Sequence, residues 1–271
     1  MGTQAPNLEG VLNREWYHTL ELAPGVVTPG WFDTRKIVSA LPLPASLTGK
    51  RCLDVATFDG FWAFEMERRG AVETIAVDIL DPLAWDWPAN SPSAVIEAMN
   101  QRKEGGRGFK IAREAFGSSV EHVELSVYDL DPSIVGEFDF VYLGSLLMHL
   151  RDPIRALERI QTVCRGSVLI VDNINLGLSI IHPRRPVAAL DGVGRPWWWK
   201  MNLPGLVRAV QAGGFRLVQP PKWIWMPPGP GHPRPGFNRD LLKNVEGREF
   251  LISALKGDPH AAILAEPAHD S

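Results

Sequence analysis

The chain has 271 residues, of which 45% are hydrophobic and 22% charged, enough for one α/β domain with a complete core and terminal additions. Its 28 basic and 31 acidic side chains leave a net charge of −3, which disfavours a nucleic-acid grip built on basic excess. No apolar run reaches the roughly 18 residues of a membrane-spanning helix, and Met1–Pro6 lacks the basic and apolar regions of a secretion signal, so no membrane partner is expected.

Residues 1–34 read as an N-terminal arm or lid, broken by Pro24-Gly25 and Pro29-Gly30. A helix is predicted from Thr34 to Leu41, stopped by Pro42 and Pro44. Short apolar runs then alternate with helical stretches. Strands are predicted at Arg51–Ala56, Thr74–Ile79, His122–Val127, Phe138–Leu143, Ser167–Val171 and Phe215–Val218. Helices are predicted at Phe61–Arg69, 93–103, 108–116, Pro153–Val163 and Pro204–Ala212. That alternation is the signature of a mostly parallel sheet with helices on both faces. Residues 35–219 form the predicted domain, and 220–271 read as a Pro/Gly-rich irregular appendage with a frayed end. Cys52 and Cys164 lie beside apolar runs and read as core residues of a reducing, cytoplasmic compartment.

In such a sheet a ligand sits at the carboxyl ends of the strands, so the residues after each strand matter most. The first strand runs into Asp54-Val-Ala-Thr-Phe-Asp-Gly60, where small Ala56, Thr57 and Gly60 allow a ligand near the backbone and open a helix. The pattern is not the dinucleotide GxGxxG. Asp78 and Ile79 end the second strand, where an acid can accept from both hydroxyls of a ribose. Tyr128 and Asp129 follow the third strand and could flank an adenine ring. Gly144, Ser145 and Leu146 follow the fourth, leading to the lone His149. Each feature alone also fits a plain turn or a solvated loop; the ordered set of strand ends is what carries the reading.

Over roughly residues 50–220 the chain resembles the class I methyltransferases that use S-adenosyl-L-methionine (SAM) and release S-adenosyl-L-homocysteine. The resemblance implies a Rossmann-like fold, with the turn Asp54–Gly60, the ribose acid Asp78, the adenine segment Tyr128-Asp129 and Gly144-Ser145-Leu146 under the methionine end. Ala56 and Phe58 depart from it, standing where the family's turn has glycines. The segment Trp16–Asp33 is similar to the arm of the tRNA wobble-uridine carboxymethyltransferase branch. That likeness implies an arm folding over the cofactor, with Trp31 and Lys36 in contact with it.

Methyl transfer to a small-molecule hydroxyl, of a sugar or aromatic acceptor, is the leading expectation. An alcohol acceptor benefits from a base, and His149 is the candidate. Tyr17, His18, Asp172 and Trp198 are candidate acceptor contacts, the last within the run Trp197-Trp198-Trp199. Two other readings stay open: a tRNA-modifying enzyme, and a SAM-binding module without turnover. No metal is expected, since Asp152, Asp172 and Asp191 show no ligand spacing.

Overall fold

The computed structural model describes residues 11, 13–233 and 245–268. Arg234, Arg239, the end of the Pro/Gly run and the last three residues of the expected frayed end lie outside the described residues. Eight strands build the central sheet: β1 (Arg51–Val55), β2 (Glu73–Asp78), β3 (Glu121–Glu124), β4 (Phe138–Gly144), β5 (Cys164–Asn173), β6 (Phe215–Leu217), β7 (Lys222–Met226) and β8 (Asp258–Pro267). Their order is β6-β8-β5-β4-β1-β2-β3, with β7 also pairing with β8. Strands β1 to β5 run parallel, and β8 runs antiparallel to β5, β6 and β7. The strand order reverses between β1 and β4, which opens a crevice at their carboxyl ends.

Side chains alternate along each strand and so feed two cores. Leu53, Val141, Leu143, Val168, Ile170 and Ile263 pack on one face against α4 (Pro153–Val163) and α5 (Leu203–Ala212). Cys52, Phe140, Tyr142, Leu169 and Ala262 pack on the other, with α1 (Phe61–Arg68), α3 (Arg107–Phe116) and the arm's Trp16. Helix α2 (Ser93–Lys103) lies between β2 and α3 in the chain. Glu104, Gly105 and Gly106 are all left-handed, and they turn the chain sharply between α2 and α3.

Three expectations change. The helix predicted over 34–41 is two short 3₁₀ turns, Thr34–Lys36 and Val38–Ala40, because Arg35 and Lys36 fold back onto Asp33 at 2.7 and 3.3 Å. The arm, expected only as a segment broken by Pro24-Gly25 and Pro29-Gly30, carries strand pairing, Trp16–His18 in parallel with Gly30–Phe32. Residues 258–267 are no frayed end but β8, buried between β5 and β6. Its middle, Ala261-Ala262-Ile263-Leu264-Ala265, has little β-branched or aromatic signal, yet both its faces are covered. Within the appendage, the stretch 229–231 leans on the arm, where Gly229 N–H donates to the Trp31 carbonyl (2.6 Å) and Gly231 N–H to that of Gly30 (3.0 Å).

Candidate active site

The turn after β1 keeps the backbone shape of a glycine turn without the glycines. Ala56 (φ 60°) and Phe58 (φ 52°) are both left-handed, a conformation costing an L-residue roughly 1–2 kcal/mol. Gly60 (φ 88°) has no such freedom to change, since a Cβ there would sit 2.4 Å from the Phe64 ring. Its missing side chain makes room for the Phe64 and Phe109 rings. Asp54 is buried; its Oδ2 accepts from Thr57 Oγ1 (2.6 Å) and Ala63 N–H (3.0 Å). Burial still pushes its carboxyl up to about 7. Asp59 is buried as well and pins the arm, its Oδ2 accepting from Tyr17 N–H (2.6 Å) and His18 N–H (3.1 Å). Burial raises its pKa.

At the end of β2, Asp78 Oδ2 accepts from Phe58 N–H (2.7 Å) and pairs with the buried Lys103 ammonium, while Oδ1 accepts from Ile79 N–H (2.8 Å). Lys103 closes α2 and also lies 4.6 Å over the Phe58 ring. Its neighbour Arg102 lies 4.0 Å over Trp31 and pairs with Glu15 at 2.7 Å. Two cations from one helix end thus tie Asp78, the turn and the arm together. Tyr17 stacks on Phe58 (centroids 4.6 Å apart), and burial plus the carboxylates around it raise its phenol pKa well above normal. His18 is buried beside Lys103 and pushed down to about 3, so it is neutral.

Past β4, the loop is braced from β5. Asp172 Oδ2 accepts from Leu146 and Leu147 N–H, both at 2.8 Å, and its Oδ1 from Asn173 N–H at 2.8 Å. Burial raises its pKa, against those hydrogen bonds and nearby His260. Gly144 passes so close to β5 that a Cβ would lie 2.6 Å from the Val171 carbonyl. Ser145 Oγ lies 2.7 Å from His260 Nε2, a residue of β8.

The mouth is drawn together by Asp86. Its carboxylate accepts from Tyr128 Oη (2.9 Å) and Arg151 N–H (2.6 Å), and its carbonyl from Trp198 Nε1 (2.6 Å). Trp198 N–H also donates to the Met148 carbonyl at 2.8 Å. Protein crowds His149 on most sides while its outer edge meets solvent, and that crowding lowers its pKa. Its Nδ1 lies 2.8 Å from the Pro196 carbonyl, so Nδ1 carries the hydrogen and Nε2 keeps a lone pair.

Asp54, Ala56, Thr57, Asp78, Ile79, Gly144, Ser145 and Leu146 thus gather at the carboxyl ends of β1, β2 and β4, with Tyr17 above the turn. Trp31 is held by Arg102 and by the edge of His232 (5.7 Å). Lys36 is exposed and turned to Asp33, and Asp129 is exposed, so neither is drawn into this cluster. Sequence reasoning missed Asp59, Asp86, Lys103 and His260. Asp59 stood in plain view inside the turn; His260 was hidden in the stretch read as frayed.

Residues 33–219, more than half of the chain, match the model of a family described as a methyltransferase domain. No curated protein matches the sequence. Among solved structures, a complex of the Haloferax volcanii Trm112 methyltransferase activator with a methyltransferase aligns at a TM-score of 0.54 and 13% identity, covering 90% of this chain and 91% of that one. The N-terminal domain of EvdMO1 with SAH bound aligns at 0.51 and 15% identity, covering 94% and 92%. At such identities these structures speak for the fold, a Rossmann-like class I methyltransferase sheet, and the family model supplies the rest: the chain belongs to the methyltransferase-domain family.

Proposed function

We propose that this protein transfers a methyl group from SAM to a hydroxyl of a small molecule, leaving S-adenosyl-L-homocysteine. The donor is a cation bearing a ribose diol, and the buried groups suit both features. Asp54, Asp59, Asp78 and Asp172 are all buried near the same strand ends. Asp54, held near 7 by burial in the free protein, is a carboxyl that a nearby cation would draw back toward its charged form. Asp78 Oδ1 accepts only the Ile79 N–H and so keeps room for a ribose hydroxyl.

Bound SAM supplies an electrophilic methyl on sulfur, displaced in line by the acceptor. The carrying observation is His149, neutral, with Nδ1–H fixed on the Pro196 carbonyl and Nε2 open at the mouth. With SAM bound, the acceptor hydroxyl would give its proton to His149 Nε2 as its oxygen takes the methyl group. Asp172 is not the base in this reading, because three backbone N–H groups occupy its oxygens. Trp198, fixed through Asp86, would form the wall that orients the acceptor, whose sugar or aromatic character suits a flat indole ring, while Tyr128, held by the same residue, would flank the adenine.

Ordinary SAM fits better than its carboxylated form. The tRNA-modifying branch holds the extra carboxylate with a lysine and a tyrosine, for which this chain has His18 and Met148. A histidine kept neutral by burial offers no charge, and a thioether offers no donor. The nearby cations Arg102 and Lys103 are already paired with Glu15 and Asp78. The test is single-turnover transfer of labelled methyl to a panel of small hydroxyl acceptors. His149→Ala should keep SAM affinity and lose about 10²–10⁴-fold in the chemical step; an intact rate would remove His149 as the base.

A further inference from the structure

His260 is buried at the start of β8, which runs antiparallel to β5 and so brings its first residues to the same end of the sheet as the turn. Its Nδ1 lies 2.9 Å from the Asp258 carbonyl, an acceptor only, so this nitrogen carries a hydrogen. In the neutral ring Nε2 must then accept, and the Ser145 hydroxyl, 2.7 Å away, must donate to it. That fixes the serine hydrogen toward β8 and leaves the oxygen's lone pairs free to face the cleft.

Protonating the ring reverses this arrangement. Nε2 then donates to Ser145 Oγ, and the serine hydrogen swings to the Val171 carbonyl (3.4 Å) or into the cleft. One hydroxyl thereby changes from acceptor to donor by the gain of one proton on a ring it touches. The charged and titratable groups around His260 are few. Asp172 comes from β5 and offers the imidazolium a counter-charge, and Asp258 lies on the same strand. Tyr17 of the arm lies within electrostatic reach of both carboxylates, and His149 within reach of Asp172. Ile224 of β7, paired opposite His260, is apolar.

We propose that His260 is a positioning residue that acts through Ser145 to present a hydrogen-bond acceptor to the primary ammonium of the methyl donor. The inference rests on the SAM reading above. The ammonium is itself a donor, so the neutral ring welcomes it and the protonated ring repels it twice, by charge and by the turned hydroxyl. SAM binding should therefore weaken when the ring gains its proton.

Calorimetric titration of the full chain with SAM at about pH 8 and about pH 5.5 tests this, without any acceptor. Asp54, held near 7, also changes charge between these two pH values and is present in every protein compared, so only the difference between wild type and variant reads the pair. The wild-type affinity ratio between the two pH values should exceed that of His260→Gln by roughly tenfold, one hydrogen bond to a charged group. A glutamine amide can accept from Ser145 at either pH. Ser145→Ala should show a lower affinity at the higher pH and a partly flattened ratio, since the charge of the ring remains. Melting curves establish that each variant is folded. Parallel pH curves in wild type and both variants would overturn the inference while leaving the donor assignment intact. No SAM binding to wild type at either pH would overturn both.

Discussion

At the scale of single residues, the site is built from groups that stability alone would not choose. Asp54 is buried, and burial holds its carboxyl near 7 rather than near 4. Between those values the folded protein binds a proton that the unfolded chain releases, so this group lowers stability as pH rises from about 4 to about 7 and costs a constant amount above. Asp54→Asn keeps an oxygen for Thr57 and Ala63 and removes the buried charge. It should leave melting almost unchanged near pH 5 and raise it near pH 8 by a few degrees, at roughly 2–4 °C per kcal/mol for a chain of this size. A lower melting temperature at pH 8 would contradict the assignment. The same tension shows at Ala56 and Phe58, which hold left-handed backbone without being glycine. Strain of this kind collects at working sites, where surrounding contacts fix it in place. Here Phe58 is fixed by Tyr17, Lys103 and its N–H on Asp78.

At the scale of elements, what could be read in the sequence followed the strength of local pattern. The runs that became β1, β2, β4 and β5, and the helix over 153–163, carry clear periodicity, and the polar helix over 93–103 is bounded by Pro92 and Gly105, so they were legible. β8 was not. Its alanines give almost no strand signal, and its position is set by two neighbours distant in the chain, β5 and β6. Short arm strands were missed for a related reason, since three-residue pairs are fixed by Asp59 and by the 227–231 stretch rather than by their own propensity. If β8 is a true core strand, Ile263→Ala should cost about 2–5 kcal/mol, the range for emptying a fully buried aliphatic site. Denaturant unfolding reads this directly. A cost below about 0.5 kcal/mol, typical of exposed positions, would mean that the strand is not packed there.

At the scale of the whole molecule, three separate pieces of chain converge on one end of the sheet. The arm covers the turn after β1, α2 sends Lys103 to Asp78 and Arg102 to the arm, and β8 brings His260 to Ser145. The strand-end acids were legible because the order of a parallel sheet dictates where they stand. Their partners were not, because Lys103 closes a polar helix and His260 opens an alanine-rich strand, and neither spacing points to a site. On the proposed reading, this convergence holds SAM with Asp78 on its ribose. Its most direct test is calorimetric titration of the full chain with SAM, wild type against Asp78→Asn, with melting curves to establish that the variant is folded. The account predicts one SAM per chain and at least a tenfold loss of affinity in the folded variant, the worth of a hydrogen bond to a charged group. Equal affinity in the two proteins, or no binding by wild type, would contradict it.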